Sequence, residues 1–452
     1  MLALSVNSQR LWSDHMRMAE IGPSPEGGSN RPALSALDAE ARALLTAWCT
    51  PLGLAEERDA LANTFYRRPG REALPAVAFG SHLDTVPTGG RFDGVTGVLA
   101  GLEVIRVLTE AGITTKAPLE LVNWTNEEGT RFRPAMMGSR VHAGDMTLAE
   151  ALSTRDDDNI SVAEALAAHN LAGPTPPSPR RWAAFLELHI EQGPILESTG
   201  QDIGIVTGTV QARYFQITVT GAPSHAGPMS MDRRRDSLAA AAEVVLAAER
   251  VGIGAEPGGR SSTTWITNSP NARGAVSNIT RLHSDVRHED PARAAEMQAE
   301  FLTAIAEIAT RRQLKIDVDP YTTFGPVRFD AKIANTLRTA AQARQMTTRD
   351  MLAVAGHDAV MAARVCPAAM LFIPSVGGIS HNPGEYSTPD QLAKGAQVLL
   401  DAVLALAMFK LNMRGIVAMN PRVKNIMVNF CATRARVDSR FQCSPTMACG
   451  FL

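Results

Sequence analysis

The chain has 452 residues, 45% of them hydrophobic and 20% charged, with a formal net charge of −2. That length exceeds one ordinary core and predicts two or three domains. The near-zero charge removes any electrostatic case for nucleic acid or a membrane surface as partner. The opening MLALSVNSQRLWSDHMRMAEIG lacks a basic region, an apolar run and a small-residue cleavage site, so no secretory signal is expected. The most apolar stretch, 398–408, is interrupted by Asp401 and is far shorter than the ~20 residues that cross a bilayer. The five cysteines, Cys49, Cys366, Cys431, Cys443 and Cys449, are odd in number and form no CxxC pair. A reducing, cytoplasmic setting fits them better than a disulfide framework.

Residues 76–80 (AVAFG) form a short apolar run that stops at SHLDT and predicts a strand. Residues 94–108 repeat apolar positions at three and four and predict a helix. A second apolar strand, 119–124, runs straight into TNEEG. The proline-rich 173–179 reads as a surface loop. FLELHI at 185–190 alternates and ends at EQG. Strands alternating with helices predict an α/β fold with a mostly parallel sheet, and such sheets gather ligands at the carboxyl ends of their strands. His82, Glu127, Glu128 and His189 all stand at such ends.

The pattern changes after about 210. Strands are expected at 214–220, 262–267 and 281–286, and helices at 236–250 and 291–310, the latter with Asp290 as N-cap and Pro291 in its first turn. This block, 210–325, reads as a smaller α+β domain inserted into a main domain formed by 1–209 and 326–411. In the second part of the main domain a helix is expected at 334–344 and a strand at 369–373. The polar SVGGISHNPGEYS and a helix from Pro389 follow. The remaining 412–452 is basic, with Arg414, Arg422, Lys424, Arg434, Arg436 and Arg440 against Asp438, and reads as a poorly ordered extension.

A lone histidine is more often structural than a ligand; a set is different. His82 lies in GSHLDT, Asp93 in GGRFDG, Glu127 and Glu128 in NEEG, His189 in LHIEQG and His381 in GISHNP. Histidines and carboxylates at the loops of one α/β domain are the inventory of a two-metal site, in which ions about 3.5–4 Å apart share a carboxylate. Adjacent Glu127 and Glu128 repel each other unless something offsets the cost. A metal on Glu128 would do so and leave Glu127 free to take a proton from water. Asp84, two residues past His82, is expected to accept the other ring N–H and fix the tautomer.

The segments GSHLDTVPTGGRFDG, NEEGTRF, LHIEQGP, HAG, AGHDA and PSVGGISHNPGEYS resemble the hydantoinase/carbamoylase family of amidases, within the zinc-dependent aminoacylases and carboxypeptidases. The resemblance runs from about residue 8 to 407 and takes in N-carbamoyl-L-amino acid hydrolases, β-ureidopropionases and allantoate amidohydrolases. It implies an α/β metallohydrolase domain with an inserted dimerisation domain. It implies two divalent ions, zinc or manganese, with cobalt and nickel as alternatives. His82, Asp93 and His189 would hold one ion and Asp93, Glu128 and His381 the other, with Asp93 as bridge and Glu127 as general base. Substrate contacts would come from Gln192, His225, Arg287 and His357, with His225 reaching across a homodimer to polarise the scissile carbonyl. Arg287 suits a substrate carboxylate, because a guanidinium binds one bidentately.

The sequence also departs from the family. Where the motif runs PNAxN, this chain has Pro270-Asn271-Ala272-Arg273-Gly274, so Gly274 replaces the substrate asparagine. Ser277-Asn278 stands where Pro-Gly is usual, and Met229-Ser230-Met231 where Thr-Pro-Met is usual. The expected substrate is a small ureido or amide compound with a carboxylate. A dipeptidase or aminoacylase, and a non-catalytic binding protein of the same fold, are the competing readings.

Overall fold

The computed structural model describes residues 4–408, with the backbone alone for 321 and 322. The 412–452 extension lies outside the described residues. In chain order, the strands β1 (Ala55–Arg58), β2 (Thr64–Arg68), β3 (Val77–His82), β4 (Leu119–Trp124), β5 (Ala184–Ile190) and β6 (Ile203–Thr209) come first. Then follow β7 (Gln211–Thr220), β8 (Ser224–His225), β9 (Arg260–Ser269), β10 (Ala275–Val276), β11 (Ile279–His288) and β12 (Lys315–Phe324), and finally β13 (Thr348–Ala353) and β14 (Ala368–Ile373).

The large sheet has the order β1-β2-β4-β3-β5-β14-β6-β13. Its centre is parallel, from β4 through β3 and β5 to β14, while β2 runs antiparallel to β4 and β1 antiparallel to β2. Every residue of β3, β4, β5 and β14 is buried, which is why β3, β4 and β14 read as largely apolar runs, while β5 alternates in sequence and still buries its Glu187 and His189. The helix Val95–Glu110 sits close on this sheet. A Cβ at Gly97 would fall 2.6 Å from the Leu188 carbonyl oxygen, so only glycine permits the approach. Parallel strands end on one side, so the loops after His82, Trp124, Ile190 and Ile373 gather along one edge.

The chain forms two compact units. Among the described residues, the first comprises 4–205, Asp330–Asp350 and 357–408; the second is Val206–Phe329 with Met351–Gly356. The second unit thus begins slightly before the expected 210 and includes a short later segment that sequence reading assigns to the main domain. Backbone pairing explains its inclusion: Val210 N donates to Ala353 O at 3.0 Å. The unit carries the antiparallel sheet β12-β7-β11-β9 and the ribbon β10-β8. Its core packs Phe215, Ile217 and Val219 against Val244, Phe301 and Ile305 of the helices Ser237–Gly254 and Pro291–Arg312. Asp290 caps the second helix, its side chain accepting from Ala292 N at 2.8 Å. Among the described residues no helix is long and apolar enough to cross a membrane.

Candidate metal centre

The ligand candidates of the first unit sit where its strands end. His82 closes β3 and His189 is the penultimate residue of β5. Asp93 precedes Gly94, whose φ of 66° suits glycine and whose Cβ would fall 2.3 Å from the His82 ring. Asn126, Gln192 and His381 adopt the left-handed backbone, at φ 54°, 60° and 51°. Non-glycine residues hold that conformation where their surroundings over-determine it, and here all three border the same group of side chains.

Asp93 faces two ways. Its Oδ1 lies 3.1 Å from His189 Nε2 and 3.8 Å from His82 Nε2; its Oδ2 lies 3.3 Å from His381 Nε2. His381 Nε2 is in turn 3.4 Å from Glu128 Oε2. The donor atoms of His82, Asp93 and His189 all lie within 4.8 Å of one another, and so do those of Asp93, Glu128 and His381. Each buried ring is aimed by its own backbone: His82 Nδ1 donates to Asp84 O and His189 Nδ1 to Ile190 O, both at 2.9 Å. A carbonyl only accepts, so in the neutral ring the lone pair is left on Nε2, facing the centre.

The electrostatics ask for cations. Burial, then Asp358 and Glu128 nearby, pushes Glu127 well above the usual carboxylate range. Burial and Asp93 do the same to Glu128. Burial lowers His82 to about 4. Burial would also lower His189 and His381, but Asp93 outweighs it and raises each to about 9. Glu128 Oε1 is buried with no hydrogen-bond partner among the described residues, a costly arrangement for a carboxylate oxygen. A mixed nitrogen and oxygen donor set with one shared carboxylate and an unanswered buried oxygen fits two divalent ions.

A third group, Glu187, His189 and His357, also brings its donor atoms within 4.8 Å. Here both Glu187 oxygens are already taken, by Ser81 Oγ and by Ala359 N, each at 2.7 Å. Glu187 therefore ties Ser81 of β3 to the main chain just after His357. Sequence reading passed over it, although the alternation of FLELHI places it on the same face as His189.

Asp84 differs from expectation. Its carboxylate is 3.8 Å from His82 Nδ1, and its main-chain carbonyl takes the ring N–H instead. The side chain is thereby free to turn to the NEEG loop, where it accepts from Glu127 N and Glu128 N, each at 3.2 Å. Glu127 stands beside His82, with 3.5 Å between Oε2 and Nε2, and belongs to neither ligand triad. The Gln192 amide donates to Asp93 Oδ2 at 2.8 Å. His357 is only 3% exposed and packs its ring edge-on to His189, with 4.5 Å between centroids.

The second unit carries the other candidates. His225 is exposed, and its Nδ1 accepts from Gly227 N at 3.0 Å, so in the neutral ring Nε2 bears the proton. Ala226 N donates to Gly274 O at 2.8 Å, which puts Gly274 beside His225. Gly274 has φ of 82° and open space where a Cβ would go. Arg287 donates through Nη2 to Asp285 Oδ2 and through Nη1 to Val354 O, each at 2.9 Å, and lies 5.4 Å over the Tyr214 ring.

Known proteins match this chain over most of its length. The pattern of Peptidase family M20/M25/M40 covers residues 78–405. An N-carbamoyl-L-amino-acid amidohydrolase of Rhizobium meliloti is 40% identical over 404 residues, spanning 89% of this chain and 97% of that protein. A ureidoglycolate hydrolase of Arabidopsis thaliana is 34% identical over 88% of this chain and 86% of its own. The crystal structure of a hydantoinase/carbamoylase family amidase from Burkholderia vietnamiensis aligns with a TM-score of 0.88 at 42% identity, over 90% of this chain and 99% of that one. Matches of this length, on a chain whose parallel sheet ends in clustered histidines and carboxylates, show that it belongs to peptidase family M20/M25/M40 and, within it, to the hydantoinase/carbamoylase amidases.

Proposed function

We propose that this chain is a two-metal amidohydrolase that cleaves the carbamoyl C–N bond of N-carbamoyl-L-amino acids or related ureido acids, releasing amino acid, carbon dioxide and ammonia. The observation that carries the reading is the Asp93 carboxylate, one oxygen toward His82 and His189 and the other toward His381, with Glu127 beside His82 and part of neither triad. In this reading His82, Asp93 and His189 hold one ion, and Asp93, Glu128 and His381 the other. Zinc or manganese suits these donors; cobalt and nickel bind the same kind of set. When bound, such ions supply Lewis acidity toward a carbonyl oxygen and toward water.

The chain's own groups divide the remaining work. Glu127 takes a proton from the attacking water and returns it to the leaving nitrogen; a carboxylate pushed upward by burial suits both transfers. His225 offers its Nε2–H to the carbonyl oxygen as charge develops there, supplied in a homodimer by the partner protomer. Arg287, braced by Asp285, reads the substrate carboxylate. Gln192 and His357 complete the substrate contacts, and Gly274 leaves room beside His225. A cytoplasmic location suits the buried, unpaired Cys49 and Cys366.

The relative named a ureidoglycolate hydrolase favours a second reading of the same chemistry, on a shorter ureido acid. Ammonia release separates the two on a panel of N-carbamoyl amino acids, ureidoglycolate, allantoate and 3-ureidopropionate, with dipeptides as controls. Chelation is expected to abolish release and a divalent metal to restore it. Full activity in verified metal-free protein, or cleavage of dipeptides alone, overturns the proposal.

A further inference from the structure

Glu385, in NPGEYS, is buried to 3% exposure and accepts three hydrogen bonds. Its Oε1 takes Phe92 N at 3.1 Å and Asp93 N at 3.0 Å; its Oε2 takes Ser380 Oγ at 2.8 Å. One carboxylate thus grips two loops that are distant in sequence: the main chain that carries Asp93, and the residue immediately before His381. The Phe92 and Asp93 amides precede the helix Val95–Glu110, outside its hydrogen-bond ladder, and need an acceptor from elsewhere. Gly90 makes room for the clamp, since a Cβ there would fall 2.1 Å from Glu385 Oε1. Ser380 Oγ also lies 3.3 Å from Asp93 Oδ2, so the link closes on the carboxylate that faces both triads. His381 itself sits at φ 51°, a backbone state that a side chain adopts only when neighbours hold it there.

We propose that Glu385 is a positioning residue that fixes the Asp93 loop against the His381 loop and thereby sets the affinity of the second ion, the one assigned to Asp93, Glu128 and His381. This rests on the two-metal reading above. A carboxylate serving only local stability would need one loop, whereas this one joins two loops that each present a ligand. Its role is geometric, so a glutamine should replace it: the amide oxygen accepts from Phe92 N and Asp93 N, and the amide nitrogen donates to Ser380 Oγ.

The test uses the full chain with zinc as probe. Stoichiometry comes from elemental analysis and affinity from competition with a chromophoric chelator. Wild type is expected to bind two equivalents. Glu385→Ala should weaken one of them by about 10–100-fold, the usual effect of losing a residue that orients a ligand. Glu385→Gln should bind both close to wild-type affinity. If Glu385→Ala does not fold, Ser380→Ala decides, since it removes the Glu385 hydrogen bond on the His381 side, together with the Ser380 contact to Asp93 Oδ2, and leaves the Phe92 and Asp93 amides held; selective weakening of one equivalent supports the proposal and two unchanged equivalents overturn it. Glu385→Ala with two equivalents at wild-type affinity overturns it, and so does a Glu385→Gln loss equal to that of alanine. Wild type that binds no zinc removes the metal centre itself, and with it this inference.

Discussion

Glu127 and Glu128 are adjacent in sequence, yet only Glu128 falls in a group that could hold a metal. Glu127→Gln is therefore expected to keep the metal content of wild type and to lose about 10²–10⁴-fold in turnover, because the amide keeps the shape but cannot take the proton. Metal analysis beside an ammonia assay checks both halves, and a variant that turns over like the parent removes Glu127 as base. Arg287 and Gly274 carry a second expectation. Two Arg287 nitrogens are engaged within the protein, and no side chain stands at 274 to share the substrate carboxylate. One missing charged hydrogen bond is worth roughly 1.5–3 kcal/mol, or about 10–150-fold in affinity, so simple N-carbamoyl amino acids should show a high KM. Gly274→Asn should lower it, since asparagine tolerates positive φ and the space is open. Wild type that cleaves acid and amide substrates equally well would show that Arg287 reads no carboxylate. His82, Glu128 and His189 could be picked out as candidates because each stands where an apolar run stops; Asp93 and His381 stand in glycine-rich loops farther from any strand end. The partner of His82 was not legible, since a sequence cannot distinguish the carboxylate of Asp84 from its main-chain carbonyl. Glu385 escaped because its acceptor role depends on a loop almost three hundred residues away.

The central strands were legible for a physical reason: β4 is LELVNW, buried throughout and bounded by polar turns. The helix Ser8–Ala19 was not, since its buried positions are only Leu11, His15 and Met18, and one of these is a histidine. The helix Ala36–Cys49 hid in the same way, because its buried face includes Asp38 and Arg42, paired at 3.0 Å. The strand β1 (AEER) is polar and mostly exposed, and it carries no apolar signal at all. By contrast, the final described helix, Pro389–Ala407, announces its start. Thr388 Oγ1 accepts from Gln391 N at 3.2 Å, Gln391 Oε1 accepts from Thr388 N at 2.7 Å, and Pro389 needs no partner for an N–H it lacks. Thr388→Ala should cost about 0.5–2 kcal/mol, seen as a lower denaturation midpoint with zinc content unchanged. An unchanged midpoint would mean that this cap adds nothing to the burial of Leu392, Leu399, Leu400 and Val403 behind it.

The change of pattern near 210 is what suggests an inserted domain; the inclusion of Met351–Gly356 in the second compact unit has no such signal, because it depends on pairing with distant main chain. The second unit also has a surface that asks for a partner. β9 is the edge of its sheet, with Ile266 48% exposed. The helix Ser237–Gly254 lies alongside, where Gly252 would bring a Cβ to 3.0 Å from Ser261 N, and it exposes Leu246 by 52% and Ile253 by 69%. An edge strand next to exposed aliphatic side chains is a template for pairing unless it is covered or charged. A homodimer built on this face would cover it. A stable dimer typically buries about 800 Å² on each partner, which a ten-residue strand and an adjoining helix can supply. Light scattering at micromolar concentration should therefore give twice the 48.3 kDa chain mass. Ile266→Lys, which charges the edge without touching the unit's buried core, should shift the protein toward monomer. Because His225 is proposed to serve the partner's site, that monomer should lose turnover while keeping its zinc. Wild type that is monomeric and fully active would refute both the interface and the crossed role of His225; an Ile266→Lys variant that is monomeric with full activity would refute the crossed role alone.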